Sequence, residues 1–298
     1  MKRQETEQLA QQLETHDDFR VVRRLRARSR YRPTPEDTDT VRQGLFVDLE
    51  TTGLDPATDA IIQIALLPFE FTVDGLVCTV ADGYEEFDDP GRPIPDNIRK
   101  LTGISDDDVR GRAIDWTRVE TMADRADLIV AHNAGFDRRF LEARCQVFAQ
   151  KAWGCSMREI PWRDEGLESP KQEYLAYRFG FFYDGHNAAA DCLAGIHLLA
   201  QELPQSGRPA LAALLENARR TTYRLWAVNA PFEAKSLLKA RGYFWNSGED
   251  GRQRAWYIDA DEERCEQEQK YLQNEIYKRD IQLPIDKITC FNRYSDRI

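Results

Sequence analysis

The chain predicts an α/β protein with a mixed five-stranded sheet flanked by helices, followed by a small α+β C-terminal domain. Short apolar runs rich in β-branched residues alternate with helical patterns through the first 200 residues or so, the order expected of a sheet covered by helices. After the Ser/Gly/Pro-rich stretch at 204–210, aromatic residues become frequent and a second strand-rich pattern begins. We therefore predict two folded units in these 298 residues.

The predicted elements before that stretch follow the order β-β-β-α-β-α-β-α. An N-terminal helical pattern over 1–30 is Gln/Glu-rich and becomes Arg-rich. Strands are predicted at LFVDLE, AIIQIALLPFEF, GLVCTVADGYEEF (as a meander), ADLIVAHN and AWGCSM, and helices at IPDNIRKLTGIS, AGFDRRFLEARCQVF, about 171–179 and 187–202.

The second unit has its own pattern. After the helix ALAALLENARR, we predict a strand at TTYRLWAVN, a helix at PFEAKSLLKARG, a hairpin around SGEDG and a charged helix before a short tail. The predicted boundaries are 1–43 for an N-terminal helical, Arg-rich extension, 44–203 for the larger domain, 204–220 for a linker helix and 221–298 for the small α+β domain.

Composition limits the class of protein. Hydrophobic residues make up 42% of the chain, enough for a folded core. No apolar run approaches the roughly 18 residues that span a membrane, and the N-terminal segment is too polar for a signal peptide, so a cytoplasmic location is expected. The six cysteines form no CxxC pair, which argues against a structural zinc site. The net charge of −10 does not exclude a nucleic-acid partner, because carboxylates clustered around metal ions also produce it.

The first candidate site is the acidic end of a predicted strand, Asp48-Leu49-Glu50-Thr51-Thr52-Gly53. Side chains two residues apart on a strand point to the same face, so Asp48 and Glu50 lie side by side. Neighbouring carboxylates repel each other unless a cation lies between them, and Mg²⁺ takes oxygen ligands. For this motif alone, an acidic strand end that turns into a loop is the competing interpretation.

Two further acids follow later elements. Asn133 stands where it can cap a helix, and Asp137 lies one turn inside that helix, facing the strand end. Asp191 lies on a later helix among small residues, and His186 precedes that helix. Histidine can accept a proton from water near neutral pH. Taken alone, Asn133 and Asp137 also fit an ordinary helix cap. His186 alone also fits a solvated loop histidine.

The three motifs together are far more specific than each alone. DxExTG, NxxxD and HxxxxD occur in this order at strand and helix ends, and over roughly 44–202 the sequence resembles the DEDDh 3′–5′ exonucleases of the RNase H-like superfamily. The segment PIPDNIRKLTGIS resembles a further stretch of that family, and the sequence is similar to its proofreading type from bacterial DNA polymerase III. The resemblance implies an RNase H-like exonuclease fold for residues 44–203.

The resemblance also implies roles for individual residues. Asp48, Glu50 and Asp191 would hold one metal ion. Asp48 would bridge to a second ion, which Asp137 would bind through water, and His186 would be the general base. The implied substrate-binding residues are Thr51, Thr52, Gly53, Leu54, His132, Asn133 and Phe136. The implied cofactor is two Mg²⁺ or Mn²⁺ ions, and the implied reaction hydrolyses phosphodiester bonds from the 3′ end.

Two segments outside this resemblance are basic. Residues 20–32 contain seven arginines and no acid, which predicts either a substrate-tracking patch or a helix docked on the acidic domain by ion pairs. Segment 221–262 interleaves aromatic and basic residues, which predicts either a strand-binding platform or a small domain with an aromatic core. Its candidate nucleic-acid contacts are Lys235, Lys239, Arg241 and Trp245.

The sequence leaves several functions open. Single-stranded nucleic acid is the expected partner because the terminal nucleotide must enter the site splayed out. DNA is favoured over RNA because of the similarity to polymerase III proofreading sequences, with repair, end trimming or proofreading as roles. The alternatives are an exoribonuclease acting on RNA ends or short oligonucleotides, a non-catalytic accessory module, and a phosphodiesterase of free nucleotides. A polymerase or repair-complex partner and a homodimer stay open, and no membrane partner is expected.

Overall fold

The computed structural model describes residues 3–37, 40–249 and 251–298. The strands are β1 (Arg23–Arg24), β2 (Val41–Thr51), β3 (Ile61–Thr72), β4 (Val77–Val80), β5 (Tyr84–Phe87), β6 (Leu128–Ala131), β7 (Trp153–Cys155), β8 (Phe181–Phe182), β9 (Thr222–Ala227), β10 (Phe244–Asn246), β11 (Ala255–Ala260) and β12 (Ile285–Ile288). The α-helices are α1 (Arg3–Glu14), α2 (Asp96–Thr102), α3 (Asp106–Val109), α4 (Trp116–Arg125), α5 (Ala134–Arg144), α6 (Val147–Gln150), α7 (Gln172–Arg178), α8 (Ala188–Leu199), α9 (Ala210–Arg219), α10 (Lys235–Ala240) and α11 (Glu262–Tyr271).

The main sheet is mixed, as the sequence predicts. Its order is β4-β3-β2-β6-β7, with β2 antiparallel to β3 and parallel to β6, and β6 parallel to β7. Strand β5 also pairs with β3, further along the edge that β4 occupies. The six strands therefore fill five positions, which confirms the predicted mixed sheet flanked by helices.

The central strand β2 divides the core into two layers. Alternation along this strand sends Leu45, Val47 and Leu49 into one hydrophobic cluster and Phe46 into the other. Gly195 of α8 lies directly over the Phe46 ring, which an added Cβ would overlap. A glycine is required at this position because only its absent side chain lets α8 lie this close to β2. The close approach brings the N-terminal turn of α8 to the acidic end of β2.

The structure differs from several predictions about the helices. The N-terminal helix ends at Glu14, and the Arg-rich residues 20–32 are not helical; Arg23–Arg24 form a short parallel pairing with β8. The predicted helix from Ala134 breaks into α5 and α6 at Cys145. Helix α4 was not predicted. The linker helix exists as α9, but Leu211 and Leu214 are fully buried in the main core, so it belongs to the larger domain's packing.

The C-terminal sheet has the order β10-β11-β9-β12 and is antiparallel throughout. The predicted β-α-β-β pattern is present, but β12 was not predicted. Leu225 and Ala227 of β9 and Ile258 of β11 pack with residues of α10 and α11, which places both helices on one face of the sheet. The opposite face carries the alternate residues of the same strands.

The final residues return to the larger domain. Arg138 of α5 is fully buried and donates hydrogen bonds to the carbonyl oxygens of Cys290, Phe291 and Arg293 at 3.2, 2.6 and 2.8 Å. Arg293 forms an ion pair with buried Glu159 at 2.6 Å. The segment 289–298 therefore packs against the larger domain, although the sequence placed it with the C-terminal one.

Candidate active site

Three acids predicted from two separate motifs meet in the fold. Carboxylate oxygens of Asp48, Glu50 and Asp191 lie within 4.8 Å of one another, and all three side chains are partly buried. Asp48 and Glu50 share one face of β2, and Asp191 lies in the first turn of α8. Because Gly195 is one turn further along α8, the contact that fixes this helix on β2 also sets the position of Asp191.

The fourth acid lies deeper. Asp137 is in the first turn of α5, directly after β6, and its side chain is 3% exposed. Its Oδ1 is buried and has no hydrogen-bond partner among the described residues. An unpartnered buried carboxylate oxygen is costly for a folded protein. The site therefore contains an acceptor that the surrounding protein leaves unsatisfied.

Burial raises the pKa values of all four carboxyl groups. The pKa of Glu50 rises to about 7, first because of burial and second because of the charge of Asp191. Burial also raises the pKa of Asp48, with the Asp137, Asp191 and Glu50 charges adding to it. The pKa values of Asp137 and Asp191 are raised by burial as well. Four acids held where their ionised forms are unfavourable form a site that a cation would stabilise.

These residues fit a divalent metal ion. Carboxylate oxygens are the ligands that Mg²⁺ prefers, and Mn²⁺ accepts them too. Asp48, Glu50 and Asp191 offer such oxygens from one cluster, and the unpartnered Oδ1 of Asp137 offers another. No cysteine or histidine belongs to the acidic cluster found among the described residues, which argues against a zinc-type donor set.

His186 lies at the open side of the acids. It sits between β8 and α8, its side chain is 46% exposed, and its Nε2 is 3.9 Å from Oε1 of Glu173. Its backbone φ is 60°, a left-handed conformation that is uncommon for a residue with a side chain. The charge of His186 lowers the pKa of Asp191, although burial dominates the net shift of that pKa. The histidine is thus close enough to interact with the acids while remaining open to solvent.

Tyr183 is a site residue that the sequence motifs did not indicate. Its phenolic hydroxyl donates a hydrogen bond to Oδ1 of Asp191 at 2.9 Å, and the backbone N–H of Asn187 donates to Oδ2 at 3.1 Å. Together they orient the Asp191 carboxylate. The only available signal was the tyrosine's position three residues before His186, which does not by itself indicate contact with an acid on the next helix.

The loop after β2 holds the first group of predicted substrate contacts. Thr51 and Thr52 are buried, and the Thr52 hydroxyl donates to Asp59 at 3.1 Å. The Asp59 carboxylate packs directly on Gly53, where an added Cβ would overlap it. Leu54 is 79% exposed beside this rigid turn. The two threonines therefore shape the loop, and Leu54 presents apolar surface to solvent.

The second group lies at the start of α5. Asn133 is the residue before the helix, as predicted, but its side chain makes no capping hydrogen bond. Phe136 is partly buried and packs with Phe140 at 5.1 Å between ring centroids. His132 has both ring nitrogens engaged: Nε2 donates to the Pro170 carbonyl at 2.8 Å, and Nδ1 lies 3.0 Å from the Ser156 hydroxyl.

His132 thus has a structural role in this fold. Burial lowers its pKa to about 4, against a smaller opposing effect of the hydrogen bond to Pro170. The ring is therefore neutral at physiological pH and joins the segments after β6, β7 and the loop before α7. Its predicted place among the substrate contacts is not supported by these hydrogen bonds.

The basic candidates of the C-terminal domain lie on elements other than those that carry the acids. Lys235 and Lys239 are exposed on α10. Arg241 is paired with buried Glu268 at 2.8 Å and lies over the Tyr271 ring. Trp245 is 49% exposed and packs against Trp256, with 5.5 Å between the ring centroids. Tyr243 belongs to the core of this domain, and Tyr223, Trp256, Tyr271 and Tyr277 pack against that core. Phe232, Phe244 and Trp245 are exposed.

Comparison with known proteins agrees with this geometry. The RNase T exonuclease family model matches residues 45–199, about half of the chain. The chain belongs to this exonuclease family. The match contains the β2, α5 and α8 segments that carry the acids, and the resemblance to the polymerase III proofreading type is confirmed.

The relatives match only a part of their own length. "DNA polymerase III PolC-type" proteins of Listeria welshimeri and Halalkalibacterium halodurans are 36% and 37% identical over 103 and 101 residues, which are 32% and 33% of this chain. The chain spans only 6% and 7% of those relatives. The similarity thus concerns the exonuclease region and not the polymerase as a whole.

Two solved structures illustrate the structural similarity. "Exonuclease X in complex with 5' overhanging duplex DNA" aligns with 58% of this chain and 99% of its own, at 23% identity and a TM-score of 0.44. E. coli Exonuclease I in complex with a 5cy-dT13 oligonucleotide aligns with 78% of this chain and 71% of its own, at 15% identity and a TM-score of 0.48. The strand order of the main sheet and the family match establish the fold.

Among the described residues, no helix combines the length and apolar character that crossing a membrane requires.

Proposed function

We propose that this exonuclease removes nucleotides from the 3′ end of single-stranded DNA and releases nucleoside 5′-monophosphates, in repair, end trimming or proofreading. The observation that carries the proposal is the acidic cluster: three carboxylates within 4.8 Å, joined by the unpartnered buried oxygen of Asp137. All four acids and His186 of the DEDDh pattern are present in this one site. A non-catalytic module would not need this costly arrangement of buried charge.

The residues divide the chemistry among them. Asp48, Glu50 and Asp191 would hold Mg²⁺ or Mn²⁺, with Asp48 and Asp137 contributing to a second ion. When bound, such ions neutralise charge on the scissile phosphate and on the leaving 3′-oxygen. His186 accepts a proton from the attacking water at a ring nitrogen, and its exposure lets that proton pass to solvent. Tyr183 keeps the Asp191 carboxylate oriented throughout.

The rigid turn after β2 would contact the 3′ end of the strand. Thr51 and Thr52 fix the backbone of this turn. Exposed Leu54 would offer an apolar contact to the terminal base, and Phe136 in the first turn of α5 would offer a second. None of these residues reads a base through specific hydrogen bonds, so we expect little sequence preference.

The test uses matched single-stranded DNA and RNA oligomers labelled at the 5′ end, incubated with Mg²⁺, Mn²⁺ or EDTA. A metal-dependent ladder of labelled products supports 3′–5′ action, whereas early release of the labelled mononucleotide would show the opposite polarity. If RNA is degraded faster than DNA, RNA and not DNA is the preferred substrate. A 3′-phosphorylated DNA and a duplex serve as comparison substrates.

Two variants test the proposed metal site, one within it and one outside it. Asp48→Asn should reduce turnover by at least about a thousandfold, since one carboxylate shared between ions is lost, while its circular dichroism spectrum stays unchanged. Glu249→Gln, at an exposed position in the C-terminal hairpin, should keep full activity. Substantial activity in Asp48→Asn would contradict the proposed metal site.

A further inference from the structure

A groove of about 650 Å³ lies between α5 of the exonuclease domain and the C-terminal sheet. Its lining is unusually rich in arginine for a protein of net charge −10. The arginines are Arg139, Arg158, Arg224, Arg252 and Arg293, and the acids of the lining are Asp259 and Asp296. A positive groove in an acidic protein attracts a polyanion.

One end of this groove is lined by the first turn of α5, the turn that also carries Asp137. Gly135 belongs to its lining and is two residues before Asp137 in the first turn of α5. Arg158 also lines the groove, and the backbone N–H of the preceding Met157 donates to the His132 carbonyl at the end of β6. The groove is therefore continuous with the protein segments that hold the fourth acid.

The other end reaches the face of the C-terminal sheet that α10 and α11 leave uncovered. Arg224 lies over the Tyr257 ring at 4.5 Å and is held by Asp259 at 2.7 Å. The Tyr257 ring contacts Trp226 on one side, at 5.2 Å, and Phe244 on the other, at 5.9 Å. These aromatic side chains form a row across β9, β11 and β10, and Phe244 at its end is 62% exposed.

The charged groups of the groove are of two kinds. Arg139, Arg224 and Arg293 are held in ion pairs with Asp296, Asp259 and Glu159, so they form the wall of the groove. Arg158 is exposed, and its side chain makes no hydrogen bond or ion pair with any residue that the structure describes. An unpaired arginine between fixed ones can bind a phosphate group without first breaking an ion pair.

We propose that this surface is the path of the substrate strand: a base stacks on exposed Phe244 at the end of the aromatic row, and phosphates pass Arg158 toward the acids. The proposal rests on the proposed function for the position of the 3′ end, but strand binding itself does not require turnover. A single strand fits because stacking on aromatic rings and contact with arginines need exposed bases and phosphates together. A duplex hides its bases and would use only the charges.

The first experiment measures binding in EDTA, so hydrolysis plays no part. Fluorescence anisotropy would follow a labelled single strand of about 20 nucleotides on the unmodified protein and on the variant with both Arg158→Ala and Phe244→Ala. We expect the double variant to bind at least about tenfold more weakly, since one stacked base contributes about 1–3 kcal/mol. The salt dependence of binding should also become shallower, because a phosphate contact is lost.

A matched control removes the same chemistry from the other face of the domain. Lys270 on α11 and Phe232 just before α10 are both exposed, and Phe232 is 83% exposed. The variant with Lys270→Ala and Phe232→Ala loses one cation and one aromatic ring but leaves the groove intact. We expect it to bind the strand as the unmodified protein does. Equal weakening in both double variants would overturn the proposal, as would unchanged binding in the groove variant.

Kinetics then separate this proposal from the proposed function. With Mg²⁺, the groove variant should show a raised KM for the long strand and an unchanged kcat, while a trinucleotide should be hydrolysed at the unmodified rate. An equal loss of activity on the long strand and on the trinucleotide would assign Arg158 and Phe244 to the catalytic centre. It would contradict a strand path outside that centre. If the unmodified protein binds the strand through the groove but hydrolyses nothing, the proposed function fails and the strand-binding surface stands. Equal weakening of duplex binding would reject the single-strand assignment.

Discussion

The ionisation of Glu50 makes the stability of the folded protein depend on pH. Its folded-state pKa is raised to about 7 by burial and by Asp191, from an ordinary value near 4.5. A raised folded-state pKa adds stability that is present below the unfolded value and is lost as pH rises toward the folded one. In EDTA we therefore predict that the Tm falls between about pH 5 and pH 8.

The Glu50→Gln variant isolates this effect, because the amide cannot ionise. Its Tm in EDTA should fall less over the same pH range and should exceed that of the unmodified protein at pH 8. Added Mg²⁺ should raise the Tm of the unmodified protein more than that of the variant. Glu233→Gln at an exposed position is the comparison, and an identical pH slope in Glu50→Gln would refute the prediction.

The hydrogen bond from Tyr183 to Asp191 affects both catalysis and metal binding in our second prediction for a single residue. Tyr183→Phe keeps the ring but removes the hydrogen bond to Asp191, and a bond to a charged group contributes about 1.5–3 kcal/mol. We expect kcat to fall about tenfold and the Mg²⁺ concentration for half-maximal activity to rise, because the carboxylate loses its fixed orientation. Tyr177→Phe, an exposed neighbour, should change neither. A lower kcat without a shift in metal dependence would limit Tyr183 to a packing role.

At the scale of elements, the N-terminal arm (residues 20–25) supports the segment that carries His186. The backbone N–H groups of Arg23 and Leu25 donate to the carbonyls of Gly180 and Phe182 at 2.9 and 2.8 Å. Arg20 donates to the carbonyls of Tyr177 and Arg178, and its guanidinium lies over the Tyr177 ring. The arm thus holds β8 in place from outside, four residues before the strained backbone of His186.

We therefore predict that Arg20→Ala loosens this segment. Hydrogen–deuterium exchange should become faster in peptides covering residues 178–188, and kcat should fall severalfold with little change in strand affinity. Arg26→Ala changes a neighbouring exposed arginine that has no such contacts and should leave both measurements unchanged. Unaltered exchange in Arg20→Ala would show that β8 holds its position without the arm.

The strands and helices that carry the acids could be predicted because each has its sequence pattern within a short segment. The strand that ends in Asp48 and Glu50, the helix start before Asp137 and the helix that begins beside Asp191 each carry their pattern within about ten residues. The arm has no such pattern: an Arg-rich polar run favours a helix locally, and its extended form follows from pairing with β8, more than 150 residues away. Contacts of that kind leave no periodic trace in either segment.

At the scale of the whole molecule, the same limit explains why the sequence did not indicate that segment 289–298 packs against the exonuclease domain. Proximity in sequence favours the C-terminal sheet, whereas the partners of this segment are Arg138, Glu142 and Glu159 of the exonuclease domain. Arg138 is decisive because it is a fully buried cation whose guanidinium is satisfied by Glu142 and by three carbonyls of the returning segment. The two domains are thereby joined through a residue adjacent to Asp137.

Removal of residues 289–298 should therefore destabilise the exonuclease domain itself. The truncation leaves a buried arginine with one carboxylate partner, and a buried charge that loses its partners costs about 3–5 kcal/mol. Arg138→Met should also destabilise the full chain, because the carbonyls of the returning segment lose their donor. In the truncated chain, however, the same substitution removes the poorly paired charge and should restore part of the lost stability. Urea unfolding of the four proteins gives the coupling energy directly; additive effects would mean that the returning segment stabilises the domain without acting through Arg138.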